Sequence, residues 1–285
     1  MTTATVPVHV HLGDNLPYKR HDQELLVDLD IELTGDSSWI GFRKRELNGG
    51  TTYEMFVHDL GRLGIAPAAP ETDVERALSD VVIALNLASA RAVFTLEGRT
   101  FATFPLSAGE AREPPIIETD SEGNVTIRAT ETIRLRDFVS ARLSTRVPIN
   151  ADQVLSAYQR LEKLRRDPVT HHNLSKAVDR FTDGCNSLDH ETTVARYAET
   201  FSLAITLEGA ELAGDDLDRE VAARTSIPVE IIRDVRTFYN RSKHLDRKPE
   251  EQRAYQDGLK RIASLSYQAR RIAVASLLSG LPSEA

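Results

Sequence analysis

The sequence predicts an α+β protein: a mixed or antiparallel β-sheet with one main helix in the N-terminal half, then an all-α helical bundle. Three observations predict it. Apolar and acidic residues alternate with period two from Leu25 to Leu33 (LLVDLDIEL), the pattern of a half-buried strand. Short runs of β-branched residues separated by Gly, Asn and Asp turn signals fill much of the first 145 residues. Near Pro148-Ile149-Asn150 the texture changes, and helical spacing of apolar residues continues almost to the end. Two domains are therefore expected, residues 1–147 and 148–285, with the boundary at 146–152. A chain of 285 residues exceeds what one core usually serves.

In the first half, Val6 to Leu12 reads as a strand ending at Gly13-Asp14-Asn15. Within Leu25–Leu33, Val27, Leu29, Ile31 and Leu33 share one face and Asp28, Asp30 and Glu32 the other, which predicts an antiparallel strand with one wet side. Asn48-Gly49-Gly50 separates Trp39–Leu47 from Thr51–Val57 as a hairpin would. Asp73 to about Ala90 is a helix, with Thr72 or Asp73 as its cap and Val74, Ala77, Leu78, Val81, Val82, Leu85 and Leu87 as its apolar face. Strands follow at Ala92–Leu96 and Thr100–Pro105, and a hairpin at Pro115–Thr119 with Asn124–Ala129.

In the second half, Ala151–Arg166 carries Val154, Leu155, Tyr158, Leu161 and Leu164 at helical spacing. A second helix, capped by Asn173, runs to about Leu188, and a long one from Glu191 to Leu212. Gly214-Asp215-Asp216 reads as a break before a short helix, Leu217–Arg224. Pro228, tolerated in a first helical turn, opens the stretch VEIIRDVRTFYNRSKH, and a last helix spans about Pro249 to Leu278.

Composition narrows the function classes. Hydrophobic content of 41% and charge content of 27% are those of a soluble globular protein. No apolar run approaches the roughly 20 residues that span a bilayer, and the N-terminus has no signal-peptide pattern, so a cytoplasmic protein is expected. Cys185 is the single cysteine, which excludes an intramolecular disulfide and a cysteine-based zinc site. A net charge of −8 argues against a protein that coats nucleic acid. The charge is uneven, however: Arg233 to Arg271 holds eleven Lys/Arg against five Asp/Glu, a local basic face compatible with RNA contact.

Few constellations carry chemistry. His9 and His11 share a strand face but lack a third ligand nearby; Asp215, Asp216 and Asp218 lack the glycine and terminal glutamate of a calcium loop. GxGxxG, P-loop, GxSxG and HExxH patterns are absent. The helix from Pro228 remains. Ile231, Val235 and Phe238 define its buried face, with Ile232 and Tyr239 on the flank. Arg236, Asn240 and His244 drift only about 40° per step and form a polar stripe. Arg241 lies one turn before His244, and Lys243 adjoins it. A histidine among cations stays neutral and can accept a proton near pH 7. Beside guanidinium donors, it could promote attack of a ribose 2′-hydroxyl on its adjacent phosphate without a metal. A solvated polar helix end is the alternative reading of the same residues.

The run ARYAETFSLAITLEGAEL with its Leu207-Glu208 kernel, then a short helix, then PVEIIRDVRTFYNRSKH, resembles the Apea-like branch of the HEPN superfamily over roughly residues 172–280. The resemblance implies a helical bundle that forms a homodimer, needs no cofactor or metal, and acts as a metal-independent endoribonuclease of a defence or toxin system. The alternative it implies is a non-catalytic module for dimerisation or for binding RNA or a partner. His244 would be catalytic, with Arg241 and Asn240 beside it and Arg236 and Lys243 on RNA. The family pattern is Arg, four to six residues, then His. Matched on His244 and Asn240, it places Tyr239 at the arginine position. Matched on the Tyr-x-Arg-Ser-Lys segment, Arg241 is the arginine and only Ser242 and Lys243 precede His244. The N-terminal half would sense a trigger or partner of unknown identity.

Overall fold

A strand at the edge of a sheet leaves a row of N–H and C=O groups unpaired, and the N-terminal half is arranged around that problem. The computed structural model describes residues 4–12, 27–47, 50–66, 68–89, 92–96, 116–119, 125–128, 143–187, 189–206, 212–243 and 249–283. Strands β1 (Ala4–Leu12), β3 (Ile40–Leu47), β4 (Gly50–Val57) and β5 (Ala92–Leu96) form a four-stranded antiparallel sheet in the order β3-β4-β1-β5. The expected hairpin is present, with Ile40 opposite Val57 and Leu47 opposite Gly50. Helix α1 (Glu71–Ala88) lies against this sheet, burying Ala77, Leu78, Val81, Val82 and Leu85 as its spacing predicts.

Strand β2 (Val27–Thr34) corrects one expectation. It pairs in parallel with β8 (Leu143–Asn150), Leu29 opposite Thr145 and Leu33 opposite Ile149. Its alternation is retained: Leu29 is buried, while Asp30 and Glu32 are exposed. Alternation reports a wet face and a dry face; it does not report the direction of the partner. The Tyr53 hydroxyl donates to the Leu29 carbonyl and joins this pair to the larger sheet. Strands β6 (Ile116–Thr119) and β7 (Val125–Arg128) form the second expected hairpin. The expected strand at Thr100–Pro105 lies outside the described residues.

The outer edge of β5 is sealed by side chains. The Asn86 amide exchanges two hydrogen bonds with Phe94, donating to its carbonyl at 2.7 Å and accepting from its N–H at 2.8 Å. The Ala92 N–H donates to Ser89 Oγ at 2.9 Å. Arg270 Nη2 donates to the Ala92 carbonyl at 2.8 Å and to the Asn86 carbonyl at 3.0 Å. One guanidinium thus serves both the sheet edge and a carbonyl in the last turn of α1, where cations are favourable.

Beyond Asn150 the described residues are almost all helical: α2 (Ala151–Arg166), α3 (His172–Cys185), α4 (His190–Ile205), α5 (Gly214–Thr225), α6 (Val229–Ser242), α7 (Pro249–Lys260) and α8 (Ile262–Gly280). Helix α4 packs against α3, α6 and α8. Gly184 permits the close α3–α4 approach, since a Cβ there would lie 2.6 Å from the Tyr197 ring. Contacts cross the strand-to-helix transition: Arg165 of α2 grips buried Asp80 of α1 at 2.6 and 2.7 Å, and Arg270 belongs to α8. One apolar cluster contains residues from both halves, from Trp39, Met55 and Phe94 to Phe181, Phe201 and Leu277.

The helix termini differ from the sequence expectations. Pro70, not Thr72 or Asp73, caps α1, and His171, not Asn173, caps α3. Asn173 lies inside α3 and donates to the Thr206 carbonyl. Gly214 begins α5 instead of breaking the chain, with a positive φ of 59°. The expected last helix is two, because the backbone turns at Arg261. Among the described residues no helix is long and apolar enough to cross a membrane.

Two outcomes follow. Replacing Arg270 with Met leaves the Asn86 and Ala92 carbonyls without that donor, at roughly 1–3 kcal/mol for each buried acceptor. Urea titration should show a lower midpoint at unchanged slope. The second concerns Tyr158, which donates to the Leu63 carbonyl at 3.1 Å; burial first, then the charge of Glu162, pushes its phenol up to about 12. Its unfolded value is 10.0, so its contribution is intact below pH 10 and disappears as pH rises through about 12. Tyr158→Phe should therefore make the loss of stability between those values shallower than in the wild type.

Candidate functional site

Helix α6 shows how the basic stretch is used. Ile232, Val235, Phe238 and Tyr239 are its buried residues, so the buried face is rotated from the predicted Ile231–Val235–Phe238 line and Ile231 is only half-buried. The cause lies in the neighbours: α4, α5, α7 and α8 all pack against α6. Phe238 stacks on Tyr255 of α7 with ring centroids 5.5 Å apart. Gly258 makes that approach possible, since a Cβ there would meet the Phe238 ring at 2.5 Å.

The rotation separates the predicted polar stripe. Arg236 faces α5, where Nε and Nη2 each donate to Asp218 at 2.7 Å in a two-pronged ion pair. Asp218 is fully buried and the Arg236 side chain is 18% exposed. This hydrogen bonding raises the Arg236 pKa above its ordinary value. Arg233 approaches the same cluster, 3.5 Å from Asp215 and 3.7 Å from Asp218. The acidic residues weighed as a calcium loop thus serve as counterions. Asp215 and Asp218 stand three apart on α5, Arg233 and Arg236 three apart on α6, and each pair occupies one helix face.

The last turn of α6 is different. Asn240 and Lys243 are exposed and Arg241 is half-buried. Lys243 Nζ lies 3.7 Å from the centroid of the Tyr239 ring, a cation–π contact. Ser242 Oγ donates to the Tyr239 carbonyl at 2.8 Å. Cations in this turn also complement the negative end of the helix dipole. His244 lies outside the described residues, as do Leu207 and Glu208. Of the candidate residues, the structure brings Tyr239, Asn240, Arg241 and Lys243 to one helix end and places Arg236 in a separate ion pair.

Tyr239 leads to residues that sequence reading missed. Its hydroxyl donates to Glu199 Oε1 of α4 at 2.9 Å. Burial, then this bond, pushes its phenol well above the ordinary range, so the ring stays neutral. The other oxygen of Glu199 receives Arg196 Nη1 at 3.0 Å and Arg180 Nε of α3 at 3.3 Å. The one local signal was Arg196-x-x-Glu199, a common surface pairing on any helix; its convergence with Arg180 and Tyr239 exists only in three dimensions. Together these groups can bind an anion and position it, using guanidinium and ammonium donors.

The Asp218–Arg236 pair has a direct test. Asp218→Ala removes one partner of a pair withdrawn from water and should destabilise the protein by about 3–5 kcal/mol. Thermal or denaturant unfolding measures this. A loss below about 1 kcal/mol would mean that Arg236 relaxes into solvent without cost. The chain matches no protein-family model, no curated protein and no solved structure.

Proposed function

We propose that the helical half is a HEPN-like module that dimerises and contacts RNA through the basic end of α6 without turning the RNA over. The observation that carries this reading is Tyr239. The residue before Asn240, where the pattern aligned on His244 calls for arginine, is a tyrosine held by Glu199 and covered by Lys243. The arginine one turn earlier, Arg236, is bound to buried Asp218. The last turn of α6 carries Arg241 and Lys243, with Asn240 and Lys243 exposed there. Such a set binds a phosphate backbone by charge, independently of sequence. In this reading the N-terminal half senses the trigger or partner of a defence or toxin system.

A second reading is favoured by one feature: Arg241 is in the last turn of α6 and three residues before His244. There His244 is the general acid/base and Arg241 stabilises the phosphate in a metal-independent endoribonuclease. The test incubates the protein and its His244→Ala variant with labelled RNA in EDTA and measures oligomeric state by light scattering. The expected result is a dimer in both, RNA binding in both, and no cleavage that depends on His244. Cleavage by the wild type that His244→Ala abolishes would replace the first reading with the second.

A further inference from the structure

The basic end of α6 does not stop at α6. Glu199 is a junction at which three helices meet: Tyr239 of α6 on one carboxylate oxygen, Arg196 of α4 and Arg180 of α3 on the other. Lys243 covers the Tyr239 ring from the solvent side, and Arg180 also reaches Asp183 at 3.2 Å. The resulting strip runs from Lys243 across Tyr239 and Glu199 to Arg196 and Arg180. Three cations face two carboxylates in it, on a chain whose net charge is −8.

The arginines are held yet not consumed. Their side chains are 44% and 35% exposed for Arg180 and Arg196. Each guanidinium has five N–H donors, and the ion pairs with Glu199 and Asp183 use only part of them. A carboxylate that fixes two guanidiniums in advance removes part of the ordering cost when an anion arrives. The strip also lacks what a protein partner would need. Its aromatic member is buried, and the large exposed hydrophobic side chain among the described residues is Val169, in the turn between α2 and α3. Protein interfaces depend on buried aromatic or aliphatic anchors at their centre. A line of spaced, solvent-reaching cations without apolar anchors suits a chain of phosphates held by charge.

We infer that Arg180 and Arg196, fixed by Glu199, continue the phosphate-contact surface of Lys243 across α4 and α3, and that the ligand is the backbone of single-stranded RNA. This inference rests on the RNA-contact reading of α6.

The test titrates labelled oligouridylate against the full chain over a range of salt concentrations. Four proteins are compared: the wild type, Arg180→Gln/Arg196→Gln, Arg180→Lys/Arg196→Lys, and Lys243→Gln. For single strands the log–log salt slope changes by about 0.7 per phosphate contact. The double glutamine variant should therefore bind more weakly, with a slope shallower by about 1.4, while the double lysine variant keeps the wild-type slope. Circular dichroism checks the fold; should the double glutamine variant not fold, Arg196→Gln alone is expected to lower the slope by about 0.7. An unchanged slope in the glutamine variants, with weakened binding by Lys243→Gln, overturns the extension and leaves the α6 reading intact. No RNA binding by the wild type overturns both. Binding of polyglutamate in place of RNA also overturns the inference, in favour of an acidic protein partner.

Discussion

The hydrogen-bonding demand of one sheet edge ties the two halves of this chain together. Among the described residues strand β5 has β1 on one side and no strand on the other, and an unpaired buried edge would carry several unsatisfied groups. Ser89, Asn86 and Arg270 supply what a fifth strand would have supplied. Two of these come from α1 and its end, but Arg270 comes from α8, which also packs against α4 at the centre of the bundle. The sheet edge is therefore completed only when the helical half is in place. Asp80 and Arg165 make a second crossing of the same kind, between α1 and α2. A buried guanidinium suits this work because its planar fork reaches two carbonyls at once, whereas an ammonium offers a point charge.

The same economy of charge decides what α6 can do. The basic composition of Arg233–Arg271 suggests a continuous cationic face, but the fold divides it. Arg233 and Arg236 meet the acids of α5, Arg261 bonds to Asp234 at 2.6 Å through two nitrogens, and Arg270 goes to backbone carbonyls. These arginines hold helices together. Lys243 stays exposed at the C-terminal end of α6, where the helix dipole already favours cations. A local excess of positive charge is thus a poor measure of a binding surface; the relevant quantity is the excess that remains after ion pairing.

The sequence made the α+β class legible, together with the change from strand to helix near Asn150, both hairpins and the existence of most helices. Each of these depends on short-range periodicity or on turn chemistry. Sequence could not show that β2 pairs in parallel with β8, because the two strands are separated by more than a hundred residues and alternation is silent about direction. The rotation of α6 was hidden for a related reason. Ile231 and Ile232 are both apolar, and only the positions of α4, α5 and α8 decide which of them turns inward. Of the candidate site, the exposed last turn was legible in Asn240 and Lys243. The fate of Arg236 was not, since its partner Asp218 lies on another helix and looked like part of an acidic loop.

Tyr239 stands where the resemblance, aligned on His244, calls for arginine, and its contacts show what the tyrosine does instead. An arginine at that position would place a charge where α4 presents Glu199 and where burial is nearly complete. Tyrosine instead gives a neutral donor to Glu199, and its ring supports Lys243 on the solvent side. The carboxylate, no longer needed to neutralise a charge on α6, is available to Arg196 and Arg180. Charge that an arginine at 239 would concentrate at one point is distributed over three helices. A concentrated charge suits stabilisation of one phosphate in a transition state. A distributed one suits contact with several phosphates in a ground state, which is the contact proposed for this surface.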